Sequence, residues 1–232
     1  MKIAIMQPYF FPYIGYWQLI HAVDHFVIYD DVNYIKKGWV NRNRILINGD
    51  PAYMTVPLSQ PSQHKRICDT AMQPSRFWRD KLIKMIETTY RRAPYFQEVF
   101  PVVAKLIRFE SDNLSDYLAN QLQTLAVFLD IDTAILVTSR CYGNDGLSGQ
   151  ARILDICKKE GAATYINPQG GKDLYSRGVF EEMGVELKFL MPLNIEYKQF
   201  GSVHFPWLSI IDVMMFNSKS QLSALLNRYE LV

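Results

Sequence analysis

The opening of the chain limits its fold more than any other stretch. Residues 2–6, KIAIM, and 25–29, HFVIY, are short apolar runs. Between them, YIGYWQLIHAVD places Leu19, Ile20 and Val23 along one helical side. Strand, helix and strand within about 30 residues make a βαβ unit, which requires parallel strands and a right-handed crossover. The rhythm returns later, with strand-like AILVT at 134–138, a helix over 149–160 stopped by Gly161, and strand-like TYIN at 164–167. A helix over 173–183 stopped by Gly184 and the run VELKFL at 185–190 complete it. Such alternation predicts the α/β class: an open, mostly parallel sheet with helices on both faces.

The remaining segments decorate that frame. RILING and AYMTVP are joined by Asn48-Gly49-Asp50-Pro51, and Asn-Gly predicts a β-hairpin over 44–56 because both residues tolerate positive φ. Residues 76–129 predict a helical insertion, in which Leu114, Leu118, Leu122, Leu125 and Leu129 form one stripe. WLSIIDVMMF and KSQLSALLNRY predict two C-terminal helices, over 205–232, packed on the rest. At 232 residues, 49% hydrophobic and 21% charged, the chain is expected to form a single α/β domain, residues 1–232.

Charge and cysteine usage narrow the chemistry. A net charge of +2 gives no general case for nucleic acid or membrane. Cys68, Cys141 and Cys157 are widely spaced, and His21, His25, His64 and His204 lack metal-ligand spacing, so neither a disulfide framework nor a metal is expected. With no membrane-spanning run and no leader-like start, a cytoplasmic location is expected.

In an open parallel sheet, ligands bind beyond the carboxyl ends of the strands. The polar residues there are Gln7, Asp30 with Asp31, Ser139 with Arg140, and Asn167. Each alone is also a good turn former or cap; as a set they favour a polar-substrate site. The first loop, QPYFFPYIGYW, belongs to the same rim. Phe10, Phe11 and Trp17 are expected to brace it, leaving Gln7, Tyr13, Gly15 and Tyr16 to face a ligand. Residues 35–49 carry Lys36, Lys37, Arg42 and Arg44 beside Trp39, Asn41 and Asn43, with no acid. That composition suits a phosphate or pyrophosphate, a single nucleic-acid strand, or plain solvent. Alternation sets the two asparagines on one strand face and the two arginines on the other. Gly170 and Gly171 form a turn entering a helix, a weak anion signal that equally describes a tight turn. Asp212, in an apolar helix, needs a partner or a polar cavity.

Together MQPYFFPYIGYWQLI, VIYDDVNYIKKGWVNRNRI, YINPQGGKDLY and LSIIDVMMFN resemble the WbqC-like family from end to end, with a departure at YINPQGG. The resemblance implies a role in bacterial surface-polysaccharide synthesis, such as O-antigen. The implied activity is transfer of glycine, another aminoacyl group or an acyl group to the amine of a nucleotide-linked amino sugar. A weaker similarity links the strand–loop–Tyr13-Ile14-Gly15-Tyr16 layout to the nucleotidylyltransferase and pantothenate-synthetase superfamily, whose sheet is Rossmann-like and whose HxGH histidines stand where this chain has tyrosines. On this reading Asp30 or Asp31 is the base, and Gln7, Asn41 and Asn167 are hydrogen-bond donors. Lys36, Lys37, Arg42 and Arg140 hold phosphates, while Trp39, Tyr13 and Tyr16 stack on base or sugar. The donor is activated by ATP or as a thioester. The alternatives are a non-catalytic nucleotide-sugar binding protein and a nucleotidyltransferase-like enzyme.

Overall fold

The computed structural model describes residues 1–201 and 203–232. The opening unit folds as its pattern requires: β1 (Lys2–Met6), α1 (Ile14–His21) and β2 (His25–Ile28), with the strands paired in parallel. Next come the hairpin β3 (Arg42–Ile47) and β4 (Asp50–Thr55), and the short antiparallel pair β5 (Leu58–Ser59) and β6 (Ala71–Met72). Asn48 and Gly49 take the positive φ that the hairpin turn demands, +55° and +90°. The helical block is α2 (Phe77–Tyr90), α3 (Phe96–Arg108) and α4 (Leu114–Phe128). Then follow β7 (Ala134–Leu136), α5 (Gly149–Glu160), β8 (Thr164–Pro168), α6 (Arg177–Glu182) and β9 (Glu186–Pro192). The chain closes with α7 (Ile210–Phe216), α8 (Lys219–Leu226) and β10 (Tyr229–Leu231).

The central sheet runs β10-β9-β8-β1-β2-β7, parallel throughout except for β10. Its period-2 alternation feeds two cores. Ala4, Phe26 and Ile28 join the larger one, with α1, the helical block, α7 and α8. Ile3, Ile5 and Val27 face the smaller one, with α5 and α6. The chain steps from β1 to β2 to β7 on one side, then recrosses to β8 and β9 on the other. The order therefore reverses between β1 and β8, where a ligand crevice belongs in such sheets.

Three elements depart from the sequence pattern. The helix expected over 173–183 is a 3-10 turn, Gln169–Leu174, followed by the shorter α6. The helix expected from Trp207 starts at Ile210, where Ser209 caps it by accepting the Ile211 N–H. KSQLSALLNRY stops being helical at Leu226, and Tyr229–Leu231 pairs antiparallel with β9. Buried Gln18 explains this last break: its Nε2 donates to the carbonyls of Leu225 and Arg228 at 2.8 and 2.9 Å, satisfying the helix end from outside.

Candidate functional site

Because β1, β2, β7, β8 and β9 are parallel, their carboxyl ends share one rim. Gln7, Tyr29 to Asp31, Ser139 with Arg140, and Asn167 stand along it, as the sequence order predicts.

Both aspartates are buried. Asp30 is sealed from solvent. Its carboxylate accepts from Ser115 Oγ and Thr138 Oγ1, each at 2.8 Å, and from the Ser139 N–H at 3.0 Å, while Arg140 Nε lies 3.8 Å away. Asp31 pairs with buried Arg152 and accepts from Ser139 Oγ. Arg152 donates also to Asn144 Oδ1 at 2.9 Å and lies 5.0 Å from the centre of the Tyr29 ring. Each carboxylate oxygen is thus already engaged by a donor or cation. In this structure Asp30 and Asp31, the residues expected to supply the base, tie β2 to the turn Ser139–Tyr142, to α4 and to α5. Ser139 is fully buried within this network. Arg140 is half-exposed, held inward through Thr138 Oγ1 at 2.9 Å. Arg152, the cation of the rim, was not foreseen; a lone arginine in a helical run carries no sequence signal of its partner.

The first loop divides differently from expectation. Phe10, Phe11 and Trp17 are fully buried, as expected. The backbone there is clamped: Asn43 Nδ2 donates to the Phe10 and Phe11 carbonyls, Ser209 Oγ donates to the Phe11 carbonyl, and Gln121 Oε1 accepts the Phe11 N–H. Those contacts hold Phe11 at φ +41°, a left-handed conformation rare for an aromatic residue. Tyr16, however, lies in the core, and its hydroxyl donates to the Gln7 carbonyl at 2.8 Å. It is corrected from ligand contact to brace, because α1 turns that face toward the sheet. Gly15 is also reassigned. A Cβ there would overlap the Tyr13 ring and crowd Pro192, so the glycine admits that ring rather than a phosphate. Tyr13 is half-buried, edge-on to Trp207. Half-buried Tyr9 packs beside Tyr16, with ring centroids 5.4 Å apart; burial, then the nearby Tyr13, raises its pKa. Among the described residues the side chains of Gln7, Tyr9 and Tyr13 make no hydrogen bond with protein.

The hairpin docks on this loop through the Phe10 N–H, which donates to the Trp39 carbonyl at 3.1 Å. Asn41 and Asn43 face inward and Arg42 and Arg44 outward, matching the alternation. Asn41 is corrected from substrate donor to brace: its Nδ2 donates to the Val56 carbonyl and its Oδ1 accepts from Tyr34. Arg42 folds back onto the Lys37 and Gly38 carbonyls and stacks on Tyr53. Lys36, Lys37 and Trp39 remain exposed.

Across the switch point, Asn167 Nδ2 donates to Tyr165 Oη at 2.7 Å, and Tyr165 meets Tyr175. Gly171 is buried where a Cβ would overlap Asn167 Oδ1, whereas Gly170 is exposed with open space above it. Beyond the end of β9 lies a small cavity, about 120 Å³, lined in part by Ile14, Pro192, Tyr197, His204 and Trp207. Asp212 sits beneath this region, fully buried. It accepts from Tyr90 and Tyr197 at 2.7 Å each and from Gln199 at 3.1 Å. Burial raises its pKa, with those hydrogen bonds opposing. The partner that its sequence context demanded is therefore this trio, and Asp212 pins the 192–209 segment to α2. Among the described residues no group of three or more His, Cys, Asp or Glu is arranged to hold a metal. No helix of the described residues is long and apolar enough to cross a membrane.

A profile described as the WbqC-like protein family matches residues 7–224. The chain belongs to the WbqC-like family. The matched span covers the first loop, both rim aspartates and Asp212. This WbqC-like chain is also similar to the uncharacterized protein Rv1507c of Mycobacterium tuberculosis, 29% identical over 219 residues, covering 93% of each chain. No solved structure matches it.

Proposed function

We propose that this WbqC-like protein is a transferase that binds a nucleotide-linked amino sugar beside the β1/β8 switch point and places an acyl or aminoacyl group on its amine. One observation carries the reading. Gln7, Tyr9 and Tyr13 are half-buried residues in the loop that follows β1, beside the point where the strand order reverses, and among the described residues their side chains make no hydrogen bond with protein. Polar side chains that the protein does not engage are free to hydrogen-bond a polar ligand, which is what supports the reading. The amine attacks the carbonyl carbon of the activated donor, and negative charge on the acyl oxygen is stabilised by such donors. The amide forms as the bond to the activating group breaks, with AMP or a thiol leaving and the amine proton passing to water. Exposed Lys36 and Lys37, with half-exposed Arg140, supply charge for the phosphates. ATP or a thioester would activate the donor, and the product would serve surface-glycan synthesis such as O-antigen.

Transfer of labelled glycine to an amino-sugar nucleotide in the presence of ATP, or of an acyl group from a thioester, tests this directly. Gln7→Leu and Tyr13→Phe should each lower kcat/KM by about tenfold or more with unchanged melting temperature. Unaltered turnover in both would refute the assignment. The non-catalytic reading draws on the fully engaged Asp30 and Asp31, which leave no free carboxylate base on the rim. Saturable nucleotide-sugar binding without turnover under either donor would favour it.

A further inference from the structure

A second arginine is buried as deeply as the rim cation but lacks its partner. Arg79, on α2, is 7% exposed, against 4% for Arg152. Arg152 has Asp31 and Asn144. Arg79 has no ion pair among the described residues, and its Nε is buried without any hydrogen-bond partner. Its Cζ lies over the ring of adjacent Trp78, 4.4 Å from the ring centre. A ring face offsets only part of the cost of removing a guanidinium from water.

The guanidinium lines a cleft of about 580 Å³ between the start of α2 and the segment that follows α3. Arg108 lines the same cleft and, among the described residues, also has no ion pair. Arg76, at the cleft, is already paired with Glu110. The Tyr117 hydroxyl is close enough to Arg79 for that charge to pull against the burial that raises its pKa, and it too is buried without a partner. Asp80, Asp112 and Ser111 complete the polar lining.

We propose that this cleft is a second binding site, taking one oxyanion group, phosphate or carboxylate, of a small hydroxyl-bearing molecule, with Arg79 and Arg108 as its counter-charges. An arginine fork matches either oxyanion in two-point fashion. Asp80 and Asp112 accept hydrogen bonds from ligand hydroxyls and repel a second negative charge, so the site selects against diphosphates and nucleic acid. None of its lining residues belongs to the β1/β8 crevice, and the proposal stands independently of the function assigned there.

The test is calorimetric titration and thermal shift on the full chain with inorganic phosphate, acetate and pyrophosphate, against chloride at matched ionic strength. Glucose 6-phosphate and glucuronate then separate a phosphate source from a carboxylate source. The wild type should be stabilised by phosphate or acetate beyond chloride, and less by pyrophosphate. Arg79→Met should lose that response, with affinity down about tenfold or more, while melting no lower than wild type in chloride because an unpaired buried charge has gone. Arg79→Lys, which keeps the charge without the fork, should bind at intermediate strength. Equal responses to all anions, or unchanged affinity in Arg79→Lys and Arg79→Met, would overturn the proposal. So would a fall in the chloride melting temperature of Arg79→Met with no anion-specific response in the wild type.

Discussion

Replacing Asp31 by asparagine separates an anchor from a catalytic base. In the folded chain the Asp31 carboxylate meets the Arg152 guanidinium, with both side chains at or below 5% exposure. Asparagine keeps an acceptor for Ser139 Oγ but removes the negative charge. Arg152 then retains Asn144 Oδ1 and the Tyr29 ring, neither of which neutralises it. Removing one partner of a buried pair costs about 3–5 kcal/mol, because the other charge stays buried and uncompensated. For a chain of this length that corresponds to a fall in Tm of roughly 6–20 °C. Arg152→Met should cost a similar amount by stranding Asp31. The double variant Asp31→Asn/Arg152→Met strands neither charge, so a double-mutant cycle should give a coupling of about 2 kcal/mol or more. Urea denaturation of the four proteins measures it, and added salt should change the result little, since buried pairs are weakly screened. If Asp31→Asn melts within a degree or two of wild type while turnover disappears, Asp31 is a base and the anchor argument fails.

The tyrosines of the first loop should separate in the same way. Tyr16→Phe strands the Gln7 carbonyl and should cost about 1 kcal/mol of stability, whereas Tyr9→Phe and Tyr13→Phe should leave urea midpoints unchanged and weaken nucleotide-sugar binding. Gly171→Ala should destabilise by displacing Asn167, and Gly170→Ala should be near neutral, as thermal melts would show. Asp212 makes stability depend on pH with a definite sign. Its folded pKa is raised by burial, so between the ordinary aspartate value and the raised one the native state holds a proton that the unfolded chain has released. Its contribution therefore falls as pH rises through that window and is level above it. Asp212→Asn should flatten this segment of a urea-midpoint profile taken from about pH 4 to neutrality; an unchanged slope would place the titration elsewhere.

The sheet was legible because its signals are local. Continuous apolar runs in KIAIM and HFVIY, with helix-period runs between strands, report burial on both faces of a parallel sheet without knowledge of any neighbour. Asn48-Gly49 marked the hairpin for the same reason, and strand alternation put Asn41 and Asn43 on one face, although only packing made that face the inward one. Parallel strands also place Gln7, Asp30, Asp31, Ser139, Arg140 and Asn167 on one rim, a consequence of sequence order alone. What each side chain does there depends on residues distant in the chain. Ser115 stands 85 positions from Asp30, Arg152 stands 121 positions from Asp31, and Gln121 stands 110 positions from the Phe11 it holds. An aspartate at a strand end looks alike in sequence whether it awaits a substrate or an arginine; only tertiary packing supplies the arginine. Packing likewise turned Tyr16 inward, filled the space at Gly15 with the Tyr13 ring, and ended α8 early by lending Gln18 to its last carbonyls. It also buried Arg79 without a counter-ion, which no local pattern marks. Periodicity thus determined the fold and the edge on which to look, while long-range pairing decided which polar groups the protein uses itself and which it leaves for a ligand.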